Sequence, residues 1–271
     1  MVLSRRAILV GLSNLEGMRF VLVKDETPVT RIVLNNPLRR NPLGMETIRE
    51  VIGALNNLDP ECQAVVIAGE GPVFSAGHDL KEMIDPAPGF VEELFDACTE
   101  MMLAIHRIPQ PVVARVHGPA YAAGCQLVAS CDLAVAVDTA TFATPGVKIG
   151  LFCSTPMVPL SRAVGRKRAL EMLLTGEPID SLTALQWGLV NRVASSSELD
   201  DTVDALLERI TRSSPAVVAL GKAAFYRQVE MAEEDAYGYT KRVMTANAAM
   251  DDAQEGMGAF VEKRVPVWSG S

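Results

Sequence analysis

Two runs of small residues are where this chain can do chemistry. Val73-Phe74-Ser75-Ala76-Gly77-His78-Asp79-Leu80 follows the short apolar stretch Ala64 to Ala68. His117-Gly118-Pro119-Ala120-Tyr121-Ala122-Ala123-Gly124-Cys125-Gln126 follows Val112 to Val116. Glycine and alanine at a strand-to-helix turn leave backbone N–H groups uncovered and aimed outward. Two such turns facing each other offer a pair of donors to an oxygen that becomes negative during a reaction, an oxyanion hole. A helix beginning near Gly124 adds the positive end of its dipole to the same point. Gln126 closes the second run with an amide, which can orient water or a carbonyl but exchanges no proton near neutral pH.

A third polar cluster lies in Gly150-Leu151-Phe152-Cys153-Ser154-Thr155-Pro156. Its hydroxyls, with helix N-terminal amides, could hold a substrate carboxylate or hydroxyl. Ser or Thr ahead of a proline also fits a helix start, where the side chain caps the first free N–H groups, and capping is the favoured reading. Cys153 as a nucleophile needs a neighbouring base, and none of the three histidines, His78, His106 and His117, adjoins it in sequence. Asp79 reads as the cap of a short helix through Met83, while His106 and His117 read as structural residues at a helix end and a turn.

The elements that must position these residues follow from apolar periodicity. Strand-like runs occur at Arg19 to Lys24, Val29 to Leu34, Ala64 to Ala68, Val112 to Val116 and Leu133 to Val137. Helical patterns lie between them at Met45 to Leu55 and Phe90 to Arg107. Short strands alternating with helices indicate an α/β protein built of βαβ units, with ligands beyond the carboxyl ends of the strands. After about Leu160 the pattern turns helical: Lys167 to Leu174, Leu182 to Trp187, Ser197 to Thr211, Ala216 to Val229, Glu234 to Met250 and Ala253 to Lys263.

With 271 residues, 49% of them hydrophobic, the chain can bury a large core. A net charge of −8 argues against a nucleic-acid partner, which would need a basic face. No apolar run is long enough to cross a membrane. Five scattered cysteines without CxxC spacing read as reduced thiols in a cytoplasmic protein, and no metal is implied. Residues 1–17 carry Arg5-Arg6 and a brief apolar patch. They read as a leader ahead of the domain, since a signal peptide needs a longer apolar region and Glu16 fits a transit peptide poorly.

The two turns together resemble the crotonase (enoyl-CoA hydratase/isomerase) superfamily, which uses such a pair to hold the thioester carbonyl of an acyl-CoA. The resemblance extends along the chain. It takes in Asn36-Pro37-Leu38-Arg39-Arg40-Asn41-Pro42-Leu43, Ser161-Arg162-Ala163-Val164-Gly165, Ala184-Leu185-Gln186-Trp187-Gly188-Leu189-Val190 and Phe260-Val261-Glu262-Lys263-Arg264-Val265-Pro266. It implies a ββα spiral core over 18–160 and a C-terminal all-helical trimerisation region over 161–271. It also implies a homotrimer or dimer of trimers and an acyl-CoA thioester as partner, with no cofactor beyond the CoA of the substrate. On the matching positions, the backbone N–H groups of His78 and Ala123 would hold the thioester oxygen. Arg39, Arg40, Ala76 and Lys81 would border the CoA, and Lys263 would add charge from an adjacent subunit. Lys81 is equally a solvated surface lysine.

The departures from that pattern bear on the reaction. Hydratases of the superfamily carry one glutamate where this chain has Gln126 and another where it reads Thr144-Pro145-Gly146; related isomerases carry an acidic residue at the position of Ser154. The run Ala143 to Pro156 is similar to the enoyl-CoA hydratase domain-containing protein 3 branch, which also has Pro-Gly in place of Pro-Glu. Loss of a general acid or base costs about 10²–10⁴ in rate. The resemblance therefore implies enolate chemistry in the oxyanion hole without hydration, such as decarboxylation of a malonyl-type thioester, with Gln126 or Ser154 placing a water. The alternatives are a non-catalytic acyl-CoA binder or scaffold, and a residual hydratase or isomerase. In the last case, Gln126→Glu with Gly146→Glu should install hydration.

Overall fold

A computed structural model describes residues 18–271, so the leader read at 1–17 lies outside the described residues. The first half of the chain runs β1 (Val21–Glu26), β2 (Val29–Leu34), β3 (Pro42–Leu43), α1 (Met45–Asn56), β4 (Ala64–Gly69), β5 (Gly77–His78), α2 (Leu80–Met83) and α3 (Phe90–Arg107). It continues with β6 (Val112–Val116), β7 (Ala120–Tyr121), α4 (Ala123–Ser130), β8 (Leu133–Val137), β9 (Thr141–Ala143), α5 (Met157–Ala163) and α6 (Arg166–Thr175). The remainder is β10 (Ile179–Asp180), α7 (Ser181–Trp187), β11 (Arg192–Ala194), α8 (Leu199–Thr211), α9 (Pro215–Gln228), α10 (Glu233–Ala248) and α11 (Asp251–Glu262).

The main sheet has the order β1-β2-β4-β6-β8-β11. Its β1–β2 pair is antiparallel and every other pairing is parallel. Each of β2, β4, β6 and β8 is followed by one short strand outside this sheet. β3 pairs with β5, and β7 pairs with β9, both in parallel. The chain thus winds as a spiral, each turn giving one long strand, one short strand and, in most turns, a helix. β4 (Ala-Val-Val-Ile-Ala-Gly) is buried at all six positions, as a strand covered on both faces must be. α3 turns Leu94, Cys98, Met101, Met102 and Ile105 inward, the spacing of one helical face.

The expectation of an entirely helical region from 161 onward is corrected by two short strands. β10 pairs with β9, and β11 joins the edge of the main sheet beside β8. Strands of two or three residues carry no periodicity, so neither is legible in the sequence. α8 packs on β4, β6, β8 and β11, so the core extends well past residue 160.

Candidate active site

The two turns meet. Gly77 has φ +93, and a Cβ there would stand 2.8 Å from the Cβ of Ala122, 2.9 Å from the oxygen of Tyr121 and 3.1 Å from the nitrogen of Ala123. A Cβ on Gly124 would stand 2.5 Å from the oxygen of Ser75. Neither position has room for a side chain. The turns are also joined by backbone hydrogen bonds, with the Phe74 N–H donating to Pro119 O at 3.0 Å and the Tyr121 N–H to Ser75 O at 2.9 Å. Phe74 anchors the first turn by full burial, which contributes about 1.5–3 kcal/mol. Ala123 opens α4, where the first N–H groups have no partner within the helix. Ala122, just before it, takes φ +50, a left-handed conformation that a residue with a Cβ rarely adopts.

The His78 side chain belongs to the scaffold of the first turn. Its Nδ1 lies 3.0 Å from Leu43 O, so Nδ1 carries the proton, and its ring meets Phe95 edge-on at 5.3 Å. Burial holds the imidazole pKa below its ordinary value, and Nε2 is buried without a partner.

Gln126 is 4% exposed and lines a cavity of about 1390 Å³ with Thr155, Met102, Leu103, Val158 and Phe225. The Thr155 hydroxyl lies 3.4 Å from Gln126 Oε1, a long hydrogen bond in which Thr155 donates. Of the three polar residues 153–155, Thr155 is the one brought to Gln126. Ser154 is exposed and its hydroxyl turns to Phe152 O at 3.4 Å. The expected capping role is corrected: Pro156 occupies the N-cap of α5, and no side chain caps it.

Gly146 cannot carry a side chain. A Cβ there would overlap the carbonyl oxygen of Leu151 and stand 2.8 Å from Cys153 Sγ. The chain folds back on itself at this point, with Gly150 at φ +77 and the Leu151 N–H donating to Gly146 O at 3.0 Å. Burial pushes the Cys153 thiol up, and the Cys125 thiol up to about 12, so neither is a thiolate near neutral pH.

Around the first turn, Arg39 commits its fork to Asp79. Nη1 lies 2.7 Å from Oδ2 and Nη2 2.8 Å from Oδ1, with the Asp79 side chain 7% exposed against 45% for Arg39. Asp79 also caps α2 by accepting from the Lys81 N–H at 3.1 Å, as its sequence position predicts. Arg40 is exposed, at φ +63, and its carbonyl accepts from the Ala76 N–H at 3.0 Å. Lys81 is exposed and makes no ion pair among the described residues. Lys263 caps the end of α11 and, like Ala76, His78, Ala123 and Ser154, does not line the cavity.

A largely buried ionic network adjoins the cavity, which its members His106, Asp132 and Tyr226 line. Lys222 Nζ of α9 lies 2.7 Å from Asp132, with the two side chains 7% and 13% exposed, and donates to the carbonyls of Ile105 and Gln110. The Tyr226 hydroxyl donates to Asp132 at 2.6 Å, and His106 stacks on Tyr226 with ring centroids 3.9 Å apart. Sequence reasoning had no access to this cluster, because its members lie up to 120 residues apart (106 to 226).

The spiral of paired long and short strands with two facing turns is the crotonase fold. The enoyl-CoA hydratase/isomerase family model matches residues 24–271, and the chain belongs to that family. A Xenopus laevis relative, named enoyl-CoA hydratase domain-containing protein 3, mitochondrial, is 46% identical over 96% of this chain and 89% of its own length. A solved Mycobacterium smegmatis enoyl-CoA hydratase is 49% identical at TM-score 0.90, covering 92% of this chain and 99% of that one. The human enoyl coenzyme A hydratase domain-containing protein 3 structure is 45% identical at TM-score 0.89, over 92% of this chain and 100% of that one. These relatives bear out the branch resemblance. They correct the expected cytoplasmic location, because the curated relatives of that name are mitochondrial. Reduced thiols fit either reducing compartment, so cysteine usage never separated the two.

Proposed function

We propose that this protein binds an acyl-CoA thioester and stabilises its enolate without hydrating a double bond. The reading rests on one observation: no side chain fits at Gly146, and the other hydratase carboxylate position holds an amide, Gln126, that Thr155 engages. Water addition needs a base for the water and an acid for the α-carbon, and neither position supplies a titrating group.

Decarboxylation of a malonyl-type thioester needs no base, because loss of carbon dioxide itself generates the enolate. The bond between the α-carbon and the carboxylate breaks, and carbon dioxide leaves. The electron pair passes to the thioester oxygen, held between the backbone N–H groups of His78 and Ala123. Loss of one such donor costs about 10²–10³ in rate. A water held by Gln126 and Thr155 then protonates the α-carbon, and the hydroxide left behind combines with the released carbon dioxide as bicarbonate. Because Thr155 donates to Gln126 Oε1, the amide N–H₂ is free to donate to a substrate oxygen. Arg40 and Lys81 remain exposed for the CoA phosphates, with Arg39 holding the first turn through Asp79 and Ala76 joined to the same loop.

The second reading, a binder without turnover, is favoured by the same lack of a titrating group at both positions. A homotrimer, or two stacked trimers, accounts for α10, which buries no residue, and for Phe260 of α11 at 85% exposure. In that assembly Lys263 would reach a neighbouring site. The mitochondrial names of the relatives support that organelle as the place of the proposed work.

The purified chain is to be mixed with crotonyl-CoA and with malonyl-, methylmalonyl- and ethylmalonyl-CoA, following thioester products and calorimetric binding. Turnover of a malonyl-type substrate without crotonyl-CoA hydration supports the decarboxylase. Binding without turnover supports the scaffold. Brisk crotonyl-CoA hydration overturns both.

A further inference from the structure

We infer that Ser75, held in place by Asn41, is the positioning residue that sets the spacing between the backbone donors of His78 and Ala123. The inference rests on the acyl-thioester reading above. Ser75 is fully buried and touches three segments at once. Its hydroxyl donates to Asn41 O at 2.8 Å and accepts from the Gly77 N–H, one residue before His78, at 3.2 Å. Its carbonyl accepts from the Tyr121 N–H, two residues before Ala123, at 2.9 Å. Gly124 lies against the same carbonyl. One residue therefore links the loop at Asn41 to both turns, beside the Phe74 N–H bond to Pro119 O.

Asn41 is built to hold Ser75 still. It is buried at φ +50, and its side-chain N–H₂ donates to the carbonyls of Glu70, Val73 and Phe74 at 2.8, 3.0 and 3.2 Å. Its Oδ1 accepts from the Asn36 N–H at 2.9 Å. The amide thus ties the loop 36–41 to the segment leading into Ser75. Buried polar groups joined this way hold one geometry, because any shift leaves a donor or acceptor unpaired in a dry interior. Oxyanion stabilisation depends on that geometry, since donors contribute only when already aimed at the oxygen.

The test uses a conjugated arylacryloyl-CoA, whose absorption moves to longer wavelength when its carbonyl is polarised. The wild-type chain is compared with Ser75→Ala for binding, for the spectral shift of the bound thioester and for urea unfolding. Ser75→Ala is expected to fold and bind the thioester within about threefold of wild type while losing most of the shift. An unchanged shift overturns the inference. Loss of binding by a folded Ser75→Ala also overturns it, assigning the residue to the ligand seat instead. Should the alanine variant not fold, Ser75→Cys keeps a weak donor and acceptor at the same atom. An intermediate shift then supports the inference and an unchanged one overturns it. A wild-type chain that binds without any shift removes the oxyanion hole itself, an outcome separate from a shift that survives at Ser75→Ala.

Discussion

Gly146 and the carbonyl oxygen of Leu151 occupy adjoining space with nothing left for a side chain between them. The superfamily pattern alone presents Gly146 as a glutamate that was lost and could be restored. The fold of residues 146–153 shows a turn rebuilt around its absence, with the Leu151 N–H bonded back to Gly146 O. The pair Gln126→Glu and Gly146→Glu is accordingly expected to fail as a route to hydration.

Gly146→Ala alone is expected to cost about 1–3 kcal/mol, the penalty of forcing a methyl group into filled space. Urea unfolding of the variant measures it. A variant as stable as wild type would show that the 150–153 loop gives way easily.

Lys222→Met should destabilise by about 3–5 kcal/mol, because it leaves Asp132 charged and buried with its ion partner gone. Asp132→Asn is expected to cost less, since an amide can still meet Tyr226 and Lys222. Calorimetric unfolding of both variants gives the order.

All three imidazoles, His78, His106 and His117, have pKa values lowered below 6.5, chiefly by burial. The unfolded chain therefore binds protons first as pH falls, so the stability these groups contribute is present above pH 6.5 and is lost below it. Proton NMR titration should place each imidazole midpoint under 6.5, and the urea midpoint should fall between pH 7 and pH 5.5. A midpoint that rises on acidification would contradict this.

Cys98 and Cys125 have thiol pKa values raised from 9.0 to about 12 by burial. Alkylation by iodoacetamide at pH 8 should leave both unmodified in the native chain and label all five cysteines in urea. Because the unfolded thiols ionise first, their contribution to stability should decline as pH rises from 9 towards 12.

Much of this architecture is written in local pattern. β2, β6, β8 and α3 lie where apolar periodicity places them, and Asp79 caps α2 as its position predicts. Periods of two and near four are properties of neighbouring residues, so a linear sequence carries them. Short β11 and the ladder of Pro42–Leu43 on Gly77–His78 were not legible, since two or three residues show no period.

The candidate site divides along the same line. The sequence by itself determined which residue types were available: small residues at two turns, an amide at Gln126 and no carboxylate at Gly146. Only the tertiary structure decided that Arg39 is engaged by Asp79, and that Thr155 rather than Ser154 meets Gln126. It also decided that Lys222 docks on Asp132, 90 residues away, and that Gly146 is sealed by Leu151. The reason is physical. Residue type limits the chemistry a position can offer, whereas partners, burial and free volume arise only when distant segments are packed against one another.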